Sequence, residues 1–271
     1  MSELLLTSHA GGVTTLTMNN PRRLNGWTTE MIADLQAALT RAAADNATKV
    51  VVLTGTDPYY SAGVNLGGSL QLGHPRELHA GIVQHNEALF DMFISFPKPI
   101  LIAANGPMIG ACVTTATLCN AIVASERATL STPFTALGVP PEGCSSVVFP
   151  RILGAAADRM LGPEGWKPTA AEALSVGLVQ YVVAHDQLMT EAQRIAKQWI
   201  QDGVGRTYPA GLDKQALQEI NARESVQVAT AFLSPPFLMG QYRFLRSRKK
   251  YPPAAMFLML RLTHPAWSRL L

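Results

Sequence analysis

The 271-residue chain is short of cysteine, of charge and of aromatic side chains, and each shortage closes off a class of protein. Three cysteines stand at 112, 119 and 144, with no CxxC pair and no histidine at ligand spacing, so neither a disulfide framework nor a zinc site is predicted. A reducing interior compartment is the expectation. Charged residues make up 15% against 48% hydrophobic, a balance that suits a folded globular chain and not a disordered one. The formal net charge of +3 admits an anionic small molecule as partner and falls short of a nucleic-acid footprint. No apolar run reaches the ~20 residues of a membrane span. Ala254 to Leu260 (AAMFLML) is cut off by Arg261. The opening MSELLLTSHAGG has no basic leader and too short an apolar stretch for a signal peptide. Walker A and dinucleotide glycine fingerprints are missing, as are a GxSxG elbow, internal repeats and low-complexity tracts. Neither a metal nor a redox cofactor is predicted.

What is present alternates strand and helix. Leu4–Ser8 and Val13–Met18 around Ala10-Gly11-Gly12 predict a hairpin. Thr28 to Ala44 has helical period, with Met31, Leu35, Ala38, Leu39 and Ala42 on one stripe. Val50–Thr54 and Ile100–Ala104 are apolar runs suited to buried strands. Between them, Glu77–Phe96 returns to helical period through Leu78, Ile82, Leu89 and Phe93. Gly110–Leu118 opens a helix of small residues, and Ala121–Ala124, Ala128–Leu130 and Val179–Val183 predict short strands. Thr169 with Glu172 spells a capping box. From Asp186 to about Leu262 helix follows helix, punctuated by prolines. The expectation is an α/β core over residues 1–200 and a helical region over 201–271.

One carboxylate stands out. In Thr132–Ser146 (TPFTALGVPPEGCSS), Glu142 sits among Phe134, Leu137, Val139, Val147 and Val148. Burial there raises a carboxyl pKa toward the range where proton transfer is efficient, which makes Glu142 a candidate general base. Two turns could supply its counterpart. Tyr59–Leu66 (YYSAGVNL) and Asn105–Cys112 (NGPMIGAC) each place a glycine, Gly63 or Gly110, after a strand-like run and before an expected helix start. The N–H groups of Val64 and Ala111 are then free to meet a developing oxyanion. Taken alone, such turns more often only redirect the chain.

YYSAGVNL, KPILIAANGPMIG and TPFTALGVPPEGCSSVVFPRILG resemble the crotonase (enoyl-CoA hydratase/isomerase) superfamily, and the last resembles its delta-3,delta-2-enoyl-CoA isomerase branch. The likeness runs from about Leu4 to Phe244. It implies a spiral core of ββα repeats, a C-terminal helical region that builds homotrimers or dimers of trimers, and an acyl-CoA substrate that brings its own coenzyme A. It further implies that Val64 and Ala111 hold the thioester oxygen while Glu142 moves a proton from C2 to C4 of a 3-enoyl-CoA, in fatty-acid β-oxidation. Ser61, Ala62, Gly63, Asn65, Leu66, Gly110, Phe134 and Leu137 are the substrate-binding positions it points to. Related isomerases are peroxisomal or mitochondrial, and a peroxisomal location is the expectation although Ser268-Arg269-Leu270 falls one residue short of the end.

The departures matter as well. Hydratases of the superfamily carry two glutamates, and the matching positions are Thr114 and Phe134. Asn65 and Asn120 stand where Asp is usual, and both are expected to support loops by hydrogen bonding. Another reaction of the superfamily (hydratase, hydrolase or biosynthetic lyase) stays open, as does a non-catalytic acyl-CoA binder. His74, His79 and His85 share no helix face and predict no metal site. Ser145 and Ser146 are read as caps of the following helix, and Cys112 and Cys144 as buried packing. Arg246–Lys250 reads as a solvated basic patch, with contact to CoA phosphates as the minority reading there and at Lys98 or Arg22-Arg23.

Overall fold

The computed structural model describes residues 3–64 and 73–271. The first half of the chain runs β1 (Leu5–Ala10), β2 (Val13–Met18), α1 (Thr29–Ala44), β3 (Val50–Gly55), α2 (Pro75–Ile94), β4 (Ile100–Ala104), β5 (Met108–Ile109) and α3 (Ala111–Thr117). There follow β6 (Ala121–Ser125), β7 (Leu130–Ser131), α4 (Phe134–Leu137), α5 (Ser145–Leu153), α6 (Ala156–Leu161), α7 (Ala170–Ser175) and β8 (Tyr181–Val183). Helices α8 (Leu188–Gln201), α9 (Lys214–Phe232), α10 (Pro235–Ser247) and α11 (Tyr251–Trp267) complete it.

Continuous apolar runs make a sheet that is covered on both faces. Among the described residues the large sheet has the order β1-β2-β3-β4-β6-β8, parallel except for the β1–β2 hairpin. Side chains alternate across it. Val51, Leu53, Ile100, Ile102 and Ala104 join Met31, Leu35 and Leu39 of α1 in the main core. Val50, Val52, Leu101, Ala103 and Val123 face Leu188, Ala192, Ile195 and Ala196 of α8. A second, two-stranded sheet pairs β5 with β7 in parallel. The stretches β4-β5-α3 and β6-β7-α4 are therefore successive ββα units, each with a long strand in one sheet and a short strand in the other.

Several boundaries move for local reasons. The first strand continues to Ala10, because its register with β2 holds up to the turn at Gly11-Gly12. Helix α2 starts at Pro75, with His74 as N-cap and proline in the first turn where its missing N–H does no harm. Ala128 belongs to a turn, its N–H bonded to Ser125 O, so the strand is Leu130–Ser131. Leu178 and Val179 donate to Ala173 O, closing α7 and delaying β8 to Tyr181.

Polar side chains knit the loops above the sheet. Asn25, fully buried with φ +50°, donates to Thr56 O and Tyr59 O, both at 2.7 Å. Asn105 accepts from Gly55 N at 3.1 Å and donates to Asp57 Oδ1 at 2.9 Å. Asn120 supports a loop as expected, donating to Gly205 O and Thr207 Oγ1, each at 3.0 Å. It also accepts from Arg206, whose guanidinium serves Phe93 O, Phe96 O and Leu118 O. In the C-terminal part, α9 lies along α2, and α10 and α11 pack with it around Val228, Phe237, Leu245 and Phe257. Val139, from the Glu142 loop, belongs to that same cluster.

At Gly106 the two loops above β3 and β4 touch without a side chain between them. A Cβ there would lie 2.1 Å from Pro58 O, a backbone atom that cannot swing aside. Gly106→Ala is expected to lower unfolding free energy by about 2 kcal/mol or more, read from urea denaturation, the usual scale for overpacking a rigid site.

Candidate active site

Two turns meet at the ends of the strands. Ser61 Oγ donates to Asn25 O at 2.8 Å and accepts from Gly63 N at 3.1 Å, so a single hydroxyl shapes the first turn. Gly63 has φ +77°, and a Cβ on it would sit 2.1 Å from Ile109 O. The second turn follows β5. Ile109 N donates to Ser61 O at 3.1 Å and Gly110 N to Ser131 O at 2.7 Å, with Gly110 at φ +68° as N-cap of α3. Ala111 is the first residue of that helix, and its N–H, like that of Val64, has no acceptor among the described residues. Val64 forms an isolated parallel bridge with Trp27, whose N–H binds Gly63 O at 2.8 Å. That bridge geometry turns the Val64 N–H away from the ladder, and the helix start expected after Gly63 falls outside the described residues.

Glu142 faces these turns across a cavity of about 70 Å³ lined by Ala62, Val64, Ile109, Gly110, Ala111, Pro133, Phe134, Leu137, Val139, Glu142 and Phe232. It is the ionisable side chain of that lining, and residues 65–72 (NLGGSLQL) contain no ionisable type. Burial among apolar groups raises its pKa to about 7, and the negative charge of Glu224 pushes the same way. Asn86 pulls against them, donating from Nδ2 to Glu142 Oε2 at 2.8 Å. Thr114 Oγ1 bonds Ala111 O at 3.1 Å inside α3, and Phe134 contributes only its ring. Neither supplies a second base.

Of the expected site residues, Glu142, Val64, Ala111, Ala62, Gly110, Phe134 and Leu137 come together on the cavity wall. Ser61 and Gly63 lie just behind it and shape the turn. Asn65 and Leu66 fall outside the described residues. Ser145 and Ser146 do not cap α5. Cys144 stands at the N-cap with no side-chain capping bond, and Glu224 accepts the N–H groups of Cys144 and Ser146 instead. Lys98 is engaged elsewhere, donating to Ala42 O at 2.6 Å and Asp45 O at 2.7 Å at the end of α1, so it does not face a phosphate. Burial pushes the Cys112 and Cys119 thiols up to about 12, consistent with packing roles.

Asn86, Glu224 and Phe232 are site neighbours that the sequence reading missed. A signal for the first two exists. Asn86 lies on the stripe of Ile82, Leu89 and Phe93, and Glu224 on that of Leu217, Ile220 and Val228, so each is a polar residue at a core position of its helix.

Comparisons with known proteins bear on the fold and the family. The family described as enoyl-CoA hydratase/isomerase matches residues 8–245. Enoyl-CoA delta isomerase 2 of Rattus norvegicus is 32% identical over 265 residues, 92% of this chain and 65% of that protein, so the chain spans just under two thirds of it. Enoyl-CoA delta isomerase 3, peroxisomal, of Mus musculus is 35% identical over 82% of this chain and 71% of its own length. Among solved structures, the enoyl-CoA hydratase/isomerase of Pseudoalteromonas atlantica T6c superposes with a TM-score of 0.75 at 29% identity, covering 90% of this chain and 98% of that one. With its ββα units, facing turns and matched profile, the chain belongs to the enoyl-CoA hydratase/isomerase, or crotonase, family.

Proposed function

We propose that this protein is a delta-3,delta-2-enoyl-CoA isomerase that works with one base. The observation that carries the reading is a carboxylate with a pKa of about 7, set in an apolar cavity opposite two backbone N–H groups that have no acceptor among the described residues. The thioester oxygen of a 3-enoyl-CoA accepts from Val64 N–H and Ala111 N–H, which polarises the carbonyl and acidifies C2–H. Glu142 takes that proton. The C2–H electron pair forms C1=C2, the carbonyl pair moves onto the thioester oxygen, and the dienolate keeps C3=C4 until protonation at C4 re-forms the carbonyl and leaves C2=C3. Glu142, now protonated, returns the proton to C4, so atoms and charge balance without water. A base with a pKa near 7 is suited to both halves, since it gives up the proton as readily as it takes it. The named delta isomerases of rat and mouse, similar over most of this chain, support the choice of reaction. The reading extends to a homotrimer built through the helical region 201–271 and, by likeness to the mouse protein, to the peroxisome.

Glu142→Gln keeps the acceptor for Asn86 and removes the base. Isomerisation of 3-enoyl-CoA, followed by the absorbance of the conjugated thioester, is expected to fall by at least ~10² while acyl-CoA still binds. In the wild type kcat/KM should rise with pH through a midpoint near 7, the value at which the free enzyme's base loses its proton.

The same group makes a stability prediction of opposite sense. The folded pKa of about 7 lies above the ordinary 4.5, so the folded state binds the proton more tightly than the unfolded chain. Its contribution is most favourable below pH 4.5 and declines as pH rises to 7. Glu142→Gln should therefore melt higher than wild type at pH 8 and show no such gain at pH 4, checked by thermal denaturation at both.

Thr114 and Phe134 leave water without a positioned base. Purified protein given 2-enoyl-CoA is expected to form 3-hydroxyacyl-CoA at a negligible rate, and formation that survives Glu142→Gln would move the assignment to a hydratase. Ala111→Pro deletes one donor at a position where proline is tolerated. With folding confirmed by circular dichroism, it should cost about 3 kcal/mol of transition-state stabilisation, seen in kcat/KM.

A further inference from the structure

Two neighbouring residues of α9 reach Glu142 from different sides without lining the cavity. Glu224 is 1% exposed, and its carboxylate accepts the N–H groups of Cys144 at 2.7 Å and Ser146 at 3.0 Å. The turn it grips needs holding. Gly143 and Cys144 both have φ +65°, a conformation unfavourable for cysteine, and Cys144 has no oxygen with which to cap α5. A carboxylate at the start of that nine-residue helix also suits its dipole. Ser225 works through a second residue. Its Oγ donates to Asn86 Oδ1 at 2.9 Å, which leaves the Asn86 amide N–H pointing at Glu142.

We propose that Glu224 and Ser225 are positioning residues that hold the Glu142 carboxylate over the cavity, Glu224 through the backbone of the Gly143–Ser146 turn and Ser225 through Asn86. This rests on Glu142 being the base. The groups facing the pair are few. Burial raises the Glu224 pKa, against the bonds from Ser146 and Cys144 and the charge of Arg223 on α9 itself, which lower it. Helix α2 offers neutral Asn86 and the Phe90 ring, α3 the Thr114 hydroxyl, and the start of α5 the Cys144 thiol, which burial keeps protonated. Glu224 is the charge that acts on Glu142, and removing it should make Glu142 a stronger acid.

The test compares Glu224→Gln, Ser225→Ala and Glu142→Gln, all checked for folding by circular dichroism. Each is assayed for kcat and KM with 3-enoyl-CoA between pH 5 and 9, and the carboxyl of Glu142 is titrated by carbon-13 NMR where it is present. In Glu224→Gln the titration midpoint and the acidic limb of kcat/KM are expected to move together to below pH 7. In Ser225→Ala kcat should fall about 10-fold with KM little changed, the scale of one lost buried hydrogen bond. Folded variants with an unmoved midpoint and unchanged kcat, beside an inactive Glu142→Gln, would overturn the positioning role and leave the base assignment standing. Turnover retained by Glu142→Gln would sink the base assignment, and with it the proposal. Should Glu224→Gln fail to fold, Ser225→Ala decides alone, and an unchanged kcat there counts against the proposal.

Discussion

Everything at the site depends on two turns being allowed to touch backbone to backbone. Gly63 lies so close to Ile109 O that no side chain fits between them, and the Ser61–Ile109 and Ser61–Pro107 bonds hold the contact from the next residues. This closeness brings Val64 and Ala111, 47 positions apart in sequence, to one cavity wall. Because the donors are main-chain groups fixed by the sheet, they need little reorganisation when charge develops on an acyl oxygen. Side-chain donors in that place would carry rotamer freedom that the backbone lacks.

Against that rigid pair stands a carboxylate whose environment resists its charge. Apolar neighbours from α4 and α9 withhold solvent, and Glu224 adds repulsion. Asn86 alone among the described neighbours donates to it. The fold tolerates this imbalance through the surroundings of the turn, where backbone N–H groups are satisfied by a carboxylate from another helix and the left-handed residues are anchored at both ends. Local instability at a reactive group, supported from outside it, is the arrangement expected where activity and stability pull apart.

Much of this was legible in the sequence, for physical reasons that differ by element. The parallel strands declared themselves because burial on both faces leaves VVVL and ILIAA wholly apolar. The stripe of Met31, Leu35 and Leu39 is simple helical periodicity, and the capping box at Thr169–Glu172 formed as its spacing implied. Glu142 was visible because a charge among so many apolar residues demands a reason. The setting of Val64 was not, because an isolated bridge to Trp27 has no periodic signature. Asn86 and Glu224 lay in view as polar residues on apolar stripes, but their partners are 56 and 80 positions away, and helix periodicity says nothing about which helix will arrive. The cap of α5 was assigned to the nearest hydroxyls, Ser145 and Ser146. Proximity in sequence misled there because the turn's left-handed backbone points the N–H groups of Cys144 and Ser146 at Glu224 of α9.

The parallel order of the sheet has a consequence for how the molecule is made. Neighbouring strands such as β2 and β3, or β3 and β4, are separated by a whole helix, so their pairing closes long loops and sets a slow pace for folding. The cavity is later still. Its walls span Ala62 to Phe232, and the groups that enclose Glu142 ride on α9. On a ribosome, a chain emerging to Thr207 has the sheet and both turns to hand but neither Glu224 nor Phe232. The surroundings that raise the affinity of Glu142 for a proton are complete only once α9, made after the sheet and both turns, has docked.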